Sequence, residues 1–309
     1  MRIKNEWERA ILREISAYSN VDLNNNEESL LTNYITYMRK CTFQPVQVFE
    51  SEEIKNNFPE QFRESYNDIK QRLTTGLGIQ PYLSKAAQRL KPDMLYLHWG
   101  ILHLHLGKIQ KSGIASRTDE SLRLRIINNC AYFIEFAKHR KDENGNGGFV
   151  DPHELQIIYN NWPSTLCVLR GISLEHSPSQ TEVKKLRNAG VNCASEIIGK
   201  SGKKLCVFPS MGYSMNKTSI EDLNLLDNRI PFILQNLINI AKQQGIPQTD
   251  LDKILINYDA KNHLFTFGLL VIPEIKLHSL FNFNSLDFWR YLFDYIKLPI
   301  NFTNNLKSN

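Results

Sequence analysis

The stretch LRLRIINNCAYFIEFA, residues 122–137, constrains the fold more than any other. Two strand-like runs, LRLRII and AYFIEFA, flank the pair Asn128 and Asn129. Asparagine tolerates the positive φ that a tight hairpin turn demands, so the spacing predicts two antiparallel strands. Alternation along the first strand puts Leu122, Leu124 and Ile126 on one face and Arg123 and Arg125 on the other. Upstream, Leu102, Leu104 and Leu106 alternate with His103 and His105 in the same way. Residues 95–109 show no polar helix face and are expected to be one strand, paired antiparallel to the arginine strand through the Gly/Ser-containing connection 111–117.

Helical spacing dominates before this sheet. Trp7, Ala10, Ile11 and Ile15 form one apolar stripe, and Leu30, Leu31, Tyr34, Ile35 and Met38 form another. FQPVQVFES reads as extended, Ser51 with Glu52 and Glu53 reads as a helix start, and a helix through Phe62, Tyr66, Ile69 and Leu73 ends at the glycines of TTGLG. Beyond Pro163 come a helix at 181–189, a hairpin around GKSG, a helix over 230–243 and a second hairpin in KILINYDAKNHLFTFGLLV. The expected class is α+β. A helical region, 1–90, leads into a small antiparallel sheet, 91–164, within one domain, and a second α+β domain follows over 165–309.

The chain has 309 residues, 42% of them hydrophobic, enough for a real core. No apolar run approaches the ~20 residues that span a bilayer. The first twenty residues carry charges where a signal peptide needs its apolar segment. The five cysteines, Cys41, Cys130, Cys167, Cys193 and Cys206, are odd in number and form no CxxC, which argues for reduced thiols. A cytoplasmic protein without a membrane partner is expected. The net charge of +5 permits a polyanionic partner.

His103 and His105 share a strand face, with His98 on the opposite one unless a bulge at Gly100 resets the phase. Two imidazoles on one face suit proton transfer or metal binding; the plain alternative is a buried, hydrogen-bonded histidine beside a surface one. Arg123 and Arg125 present forks that match phosphate oxygens, or else form a solvated strand face. His139 and Arg140 close the run AYFIEFAKHR at the expected rim of the sheet. HxxxxHxH lacks the glutamate of HExxH, and GKSGKK lacks the spacing of a phosphate loop.

Helices, a histidine strand, RLRIINNCAYFIEFAKHR and a following helix occur in that order over residues 54–161, and this order resembles the RelE/ParE-type ribonuclease toxins. The resemblance implies cleavage of RNA without a metal, the 2′-hydroxyl attacking the adjacent phosphate. It implies that Arg123 or Arg125 holds that phosphate and that His139 and Arg140 lie at the strand end. The chain is far longer than such toxins, and its C-terminal half has no counterpart in them. The leading expectation is a metal-independent endoribonuclease, a growth-inhibiting or phage-defence toxin. His103, His105 and His139 would move protons, and Arg123, Arg125 and Arg140 would bind phosphate. No cofactor is expected. Its partners would be RNA (ribosome-associated or tRNA), an antitoxin or regulatory protein, and a second copy in a homodimer. One alternative is a metal-dependent hydrolase with His98, His103 and His105 as ligands. Another is a non-catalytic nucleic-acid or protein-binding module.

Overall fold

A computed structural model describes residues 2–18, 27–138, 152–271 (except 170, 173, 177, 210, 211, 215, 216, 244 and 252), 276–294 and 301–302. The class is α+β. The chain divides into two units, Met1–Met38 with Asp222–Asn309, and Arg39–Glu221 between them in sequence.

The first unit begins with α1 (Arg2–Tyr18) and α2 (Glu27–Cys41), the chain passing to the second unit within α2. Trp7, Ala10, Ile11 and Ile15 are buried along α1, as their spacing predicts. The second unit runs through β1 (Gln47–Glu50), α3 (Glu52–Asn56), α4 (Arg63–Thr75), α5 (Lys85–Gln88), α6 (Met94–Trp99), β2 (Ile101–His105), β3 (Glu120–Ile127), β4 (Cys130–Lys138), α7 (His153–Asn161), β5 (Cys167–Leu169), α8 (Gln180–Asn188), β6 (Ser195–Ile198) and β7 (Lys204–Phe208). The chain returns through α9 (Ile220–Asn224) and a π-helical turn, Leu225–Arg229. It ends in α10 (Ile230–Gln243), α11 (Gln248–Leu251), β8 (Ile254–Asp259), β9 (Leu264–Val271), β10 (Lys276–Asn284), α12 (Ser285–Asp294) and β11 (Asn301–Phe302). At the two ends of the second unit, Arg39 and Glu221 form an ion pair, Nη1 to Oε1, at 2.9 Å.

The sheet that carries His103 and His105 has the order β1-β4-β3-β2. β3 and β4 are the expected hairpin, with Asn128 and Asn129 at φ 51° and 58° in its turn. β2 pairs antiparallel with β3, His103 opposite Arg123 and His105 opposite Ser121. The edge strand β1 pairs parallel with β4, so the sheet is mixed. A bulge interrupts β3–β4 between Arg123 and Leu124, leaving Ile134 as the extra residue between Glu135 and Phe133. Leu102, Leu104, Leu122, Leu124 and Phe133 are buried, and Tyr66 of α4 meets the Phe133 ring edge-on at 5.4 Å.

One strand expectation fails. Residues 94–99 are helix, and only Ile101–His105 of the expected 95–109 strand is extended. Asp93 caps this helix, its side chain accepting from the Tyr96 N–H, and Gly100 ends it at φ 68°. Leu95, Tyr96, Leu97, His98 and Trp99 are all buried, so the helix has no polar face by which its period shows in sequence.

The arginine face is not open to solvent either. Arg123 and Arg125 are only 1% and 3% exposed. An apolar cluster joins Leu95, Trp99, Ile101 and Ile134 to Leu155 and Ile158 of α7 and to Ile197 and Val207 of β6 and β7. The divide placed at residue 165 therefore falls inside the second unit, where this cluster ties residues on either side of it into one core.

Candidate functional site

A cavity of about 930 Å³ opens in the second unit beside β2. Its wall is built from five pieces of chain. They are the start of α5, residues 91–94 leading into α6, His103 and His105 of β2, a flap over 110–117, and the last turns of α8.

Strand geometry brings the two histidines together, since they lie two residues apart on one face. Their rings stand 6.1 Å apart and nearly perpendicular. Asp93, freed by its capping role from any place in the strand, faces the first of them, Oδ2 lying 3.6 Å from His103 Nδ1. The same oxygen receives Lys40 Nζ at 3.4 Å. Burial works against the charge on Asp93, but Lys40, His103 and the Tyr96 N–H together hold its pKa below the usual carboxylate value. Burial pushes His103 down to about 4; Arg123, His105 and Lys40 push the same way, and Asp93 opposes them. At neutral pH His103 is therefore an uncharged imidazole, able to accept a proton.

Cations line the rest of the wall: Lys85, Lys91, Arg117, Lys184 and Arg187. Among the described residues of the lining, Asp93 is the single carboxylate. Arg187 is only 4% exposed. Burial lowers its pKa, while Tyr213, Cys193 and Glu154 draw it back up. The flap is a tight reversal: Ile109 bridges to Ala115, Ser116 N–H donates to Lys108 O at 3.0 Å, and Ala115 N–H donates to Pro81 O at 2.8 Å. Its two arms cross at Gly107, where a Cβ would lie 2.3 Å from Ser116 O.

His103 and His105 thus stand in one cavity, and the other residues expected to act there are placed differently. His139 and Arg140 lie outside the described residues. Arg123 is buried opposite His103 in the strand register and does not line the cavity. Arg125 turns away to donate from Nη1 to Thr165 O at 2.7 Å, and burial lowers its pKa to about 10. The expected phosphate-binding role of this pair assumed a solvent-facing strand, and both side chains are buried. His98 sits on α6, fully buried, with Nε2 2.7 Å from Cys193 O and its ring 5.5 Å from that of Tyr213. Burial, reinforced by Arg187, lowers its pKa to about 4 against the pull of the Cys193 carbonyl. It is a core histidine and does not join His103 and His105 as a third ligand. Among the described residues, no group of three or more His, Cys, Asp or Glu side chains is arranged to hold a metal.

Asp93, Lys85, Arg117, Lys184 and Arg187 went unread in the sequence. Asp93 carried a usable signal: an N-cap aspartate after Pro92, with Gly100 about two turns later, is a helix start and stop. The α8 cations carried none, because nothing local ties residues 184–188 to residues 103–105.

No family model, no curated protein and no solved structure matches the chain. Among the described residues, no helix is long and apolar enough to cross a membrane.

Proposed function

We propose that this cavity is the active site of a metal-independent endoribonuclease, acting in the cell as a growth-inhibiting or phage-defence toxin. One observation carries the reading: His103, with Asp93 Oδ2 3.6 Å from its Nδ1, shares a cavity wall with His105 and a set of lysines and arginines. Cleavage of RNA without a metal needs a base for the 2′-hydroxyl, an acid for the leaving 5′-oxygen and cations around the phosphorus. In this scheme His103 takes the 2′-hydroxyl proton as the 2′-oxygen bonds to phosphorus. The P–O5′ bond breaks, and protonated His105 gives its proton to the departing oxygen. The products are a 2′,3′-cyclic phosphate and a free 5′-hydroxyl. Asp93 stabilises the imidazolium that forms on His103, and the phosphate contacts pass from Arg123 and Arg125 to the cations of the lining. An antitoxin would be its natural partner.

A bound phosphate also brings negative charge beside His103 and raises its proton affinity from the value in the free protein, making it a better base when substrate is present. The test is turnover of single-stranded RNA in excess chelator by wild type and by His103→Gln. The expected result is a loss of roughly 10²–10⁴ in rate with unchanged thermal melting. Wild-type protein that binds RNA but never cleaves it, or a fully active His103→Gln, would overturn the proposal.

A further inference from the structure

His103 belongs at once to the cavity wall and to the strand ladder behind it. We infer that Arg123 and Glu135 are positioning residues for the proton transfer at His103, forming with it one polar row across β2, β3 and β4. This rests on the ribonuclease reading for the step itself, and it names the residues that ready the base.

Three observations converge. Residues directly opposite each other in an antiparallel pair share a face and stand as side-chain neighbours. His103 pairs with Arg123, and Arg123 in turn with Glu135, so an imidazole, a guanidinium and a carboxylate follow one another across three strands. Second, one helix meets this face at both ends of the row. Ile101, on the same face as His103, belongs to one apolar cluster with Leu155 and Ile158 of α7. His153, the first residue of α7, stands with Nε2 3.4 Å from Glu135 Oε2. Third, Arg123 is 1% exposed and lines no part of the cavity. A guanidinium keeps its charge when buried, where water screens it little, and Glu135 is the acid that the register sets opposite it. Burial, with Arg123, His105 and Lys40, lowers the proton affinity of His103, and Asp93 opposes them. With Asp93 alone, His103 would be more readily protonated before substrate arrives. The guanidinium offsets that carboxylate and leaves the imidazole able to take the 2′-hydroxyl proton, while Asp93 stays in place for the imidazolium that forms.

The state of His103 can be read without turnover. Its imidazole resonance in the full chain, identified by its loss in His103→Gln, is followed by NMR as the pH is lowered. Arg123→Met removes the charge at similar length, and the midpoint should rise by about 1 pH unit or more from its wild-type value of about 4. Arg123→Lys keeps the charge and should stay close to wild type. Glu135→Gln removes the carboxylate opposite the guanidinium and should move the midpoint downward. The Lys40–Asp93 pair and the lining residues Lys85, Lys91, Arg117, Lys184 and Arg187 are the same in every variant. An arginine that is only structural would change thermal melting and leave the midpoint in place. Should Arg123→Met fail to fold, its combination with Glu135→Gln removes both charges, should still raise the midpoint, and carries the comparison. With RNA as substrate, the acidic limb of kcat/KM should move up in Arg123→Met while KM holds. An unmoved midpoint in the folded protein, or a raised KM with a fixed acidic limb, would overturn the inference. An unmoved or rising midpoint in Glu135→Gln removes Glu135 from the row. A midpoint that follows Arg123 in a protein unable to cleave RNA sinks the ribonuclease reading alone. Cleavage by a protein whose midpoint ignores Arg123 sinks this one alone.

Discussion

Lowering the pH from 8 to 5 should weaken one unit of this chain and strengthen the other. In the second unit, His98 and His103 are each held at about 4, against 6.5 for a free histidine. A folded pKa below the unfolded value means that the unfolded chain takes up protons first, so stability present above pH 6.5 is lost as the pH falls toward 4. At pH 5 the loss is about 2 kcal/mol per histidine, or roughly 4 kcal/mol for the pair. In the first unit the sign reverses. Glu14 is 1% exposed on α1, receives hydrogen bonds from Ser285 and from Trp289 Nε1, and is raised by burial to about 7 despite those bonds. Its folded state holds the proton more tightly than the unfolded chain, so its contribution is complete below pH 4.5 and lost as the pH rises through 7. Going from pH 8 to 5 therefore gains stability there, on the order of 2–3 kcal/mol. Against a typical total of about 5–15 kcal/mol, both changes are large. Hydrogen exchange at the two pH values, corrected for intrinsic rates, should show protection falling in β3–β4 peptides and rising in α1 peptides. Glu14→Gln should abolish the rise and leave the fall. Protection that moves in the same direction in both units, or a Glu14→Gln protein whose α1 still gains, would refute the reasoning.

Two further outcomes follow from the geometry. Arg125→Ala removes the 2.7 Å charged hydrogen bond to Thr165 O and should lower stability by about 2 kcal/mol in urea melts. The salt dependence of RNA binding should stay as in wild type, because Arg125 makes no phosphate contact; a shallower slope would return it to the nucleic-acid surface. Gly107→Val drives a Cβ against Ser116 O and should open the flap to limited proteolysis within residues 107–117 while β3–β4 stays protected; an unchanged digestion pattern would show that the crossing is not a constraint.

Local chemistry was readable in this sequence where it decides structure locally. The Asn128–Asn129 turn, the His103/His105 face and the β2–β3 pairing all follow from period-two alternation and turn residues. Reading failed where the environment is set by distant chain. Arg123 and Arg125 occupy the strand face that polar residues usually turn to water, but both side chains are buried, Arg125 reaching Thr165 O forty residues along the chain. Helix α6 is buried all round, so its period leaves no trace and only Asp93 and Gly100 mark its ends. The parallel β1–β4 pair joins residues about eighty positions apart, and no turn residue announces it. The cations of the cavity come from α5, the flap and α8, a grouping that exists only after folding.

The Arg39–Glu221 ion pair closes the second unit at the two points where the chain joins it to the rest. During synthesis on the ribosome, α1 and the start of α2 emerge before the second unit, yet the strands of their own unit are not made until residues 254–302. The inserted unit is complete once Glu221 has left the exit tunnel. The order of assembly is therefore inverted relative to the usual N-terminal-first rule. The unit holding the histidine cavity matures while the two leading helices wait for their sheet. Ribosome-stalled chains ending shortly beyond residue 221, plus the length hidden in the tunnel, should resist protease over 39–221 and be cut within α1.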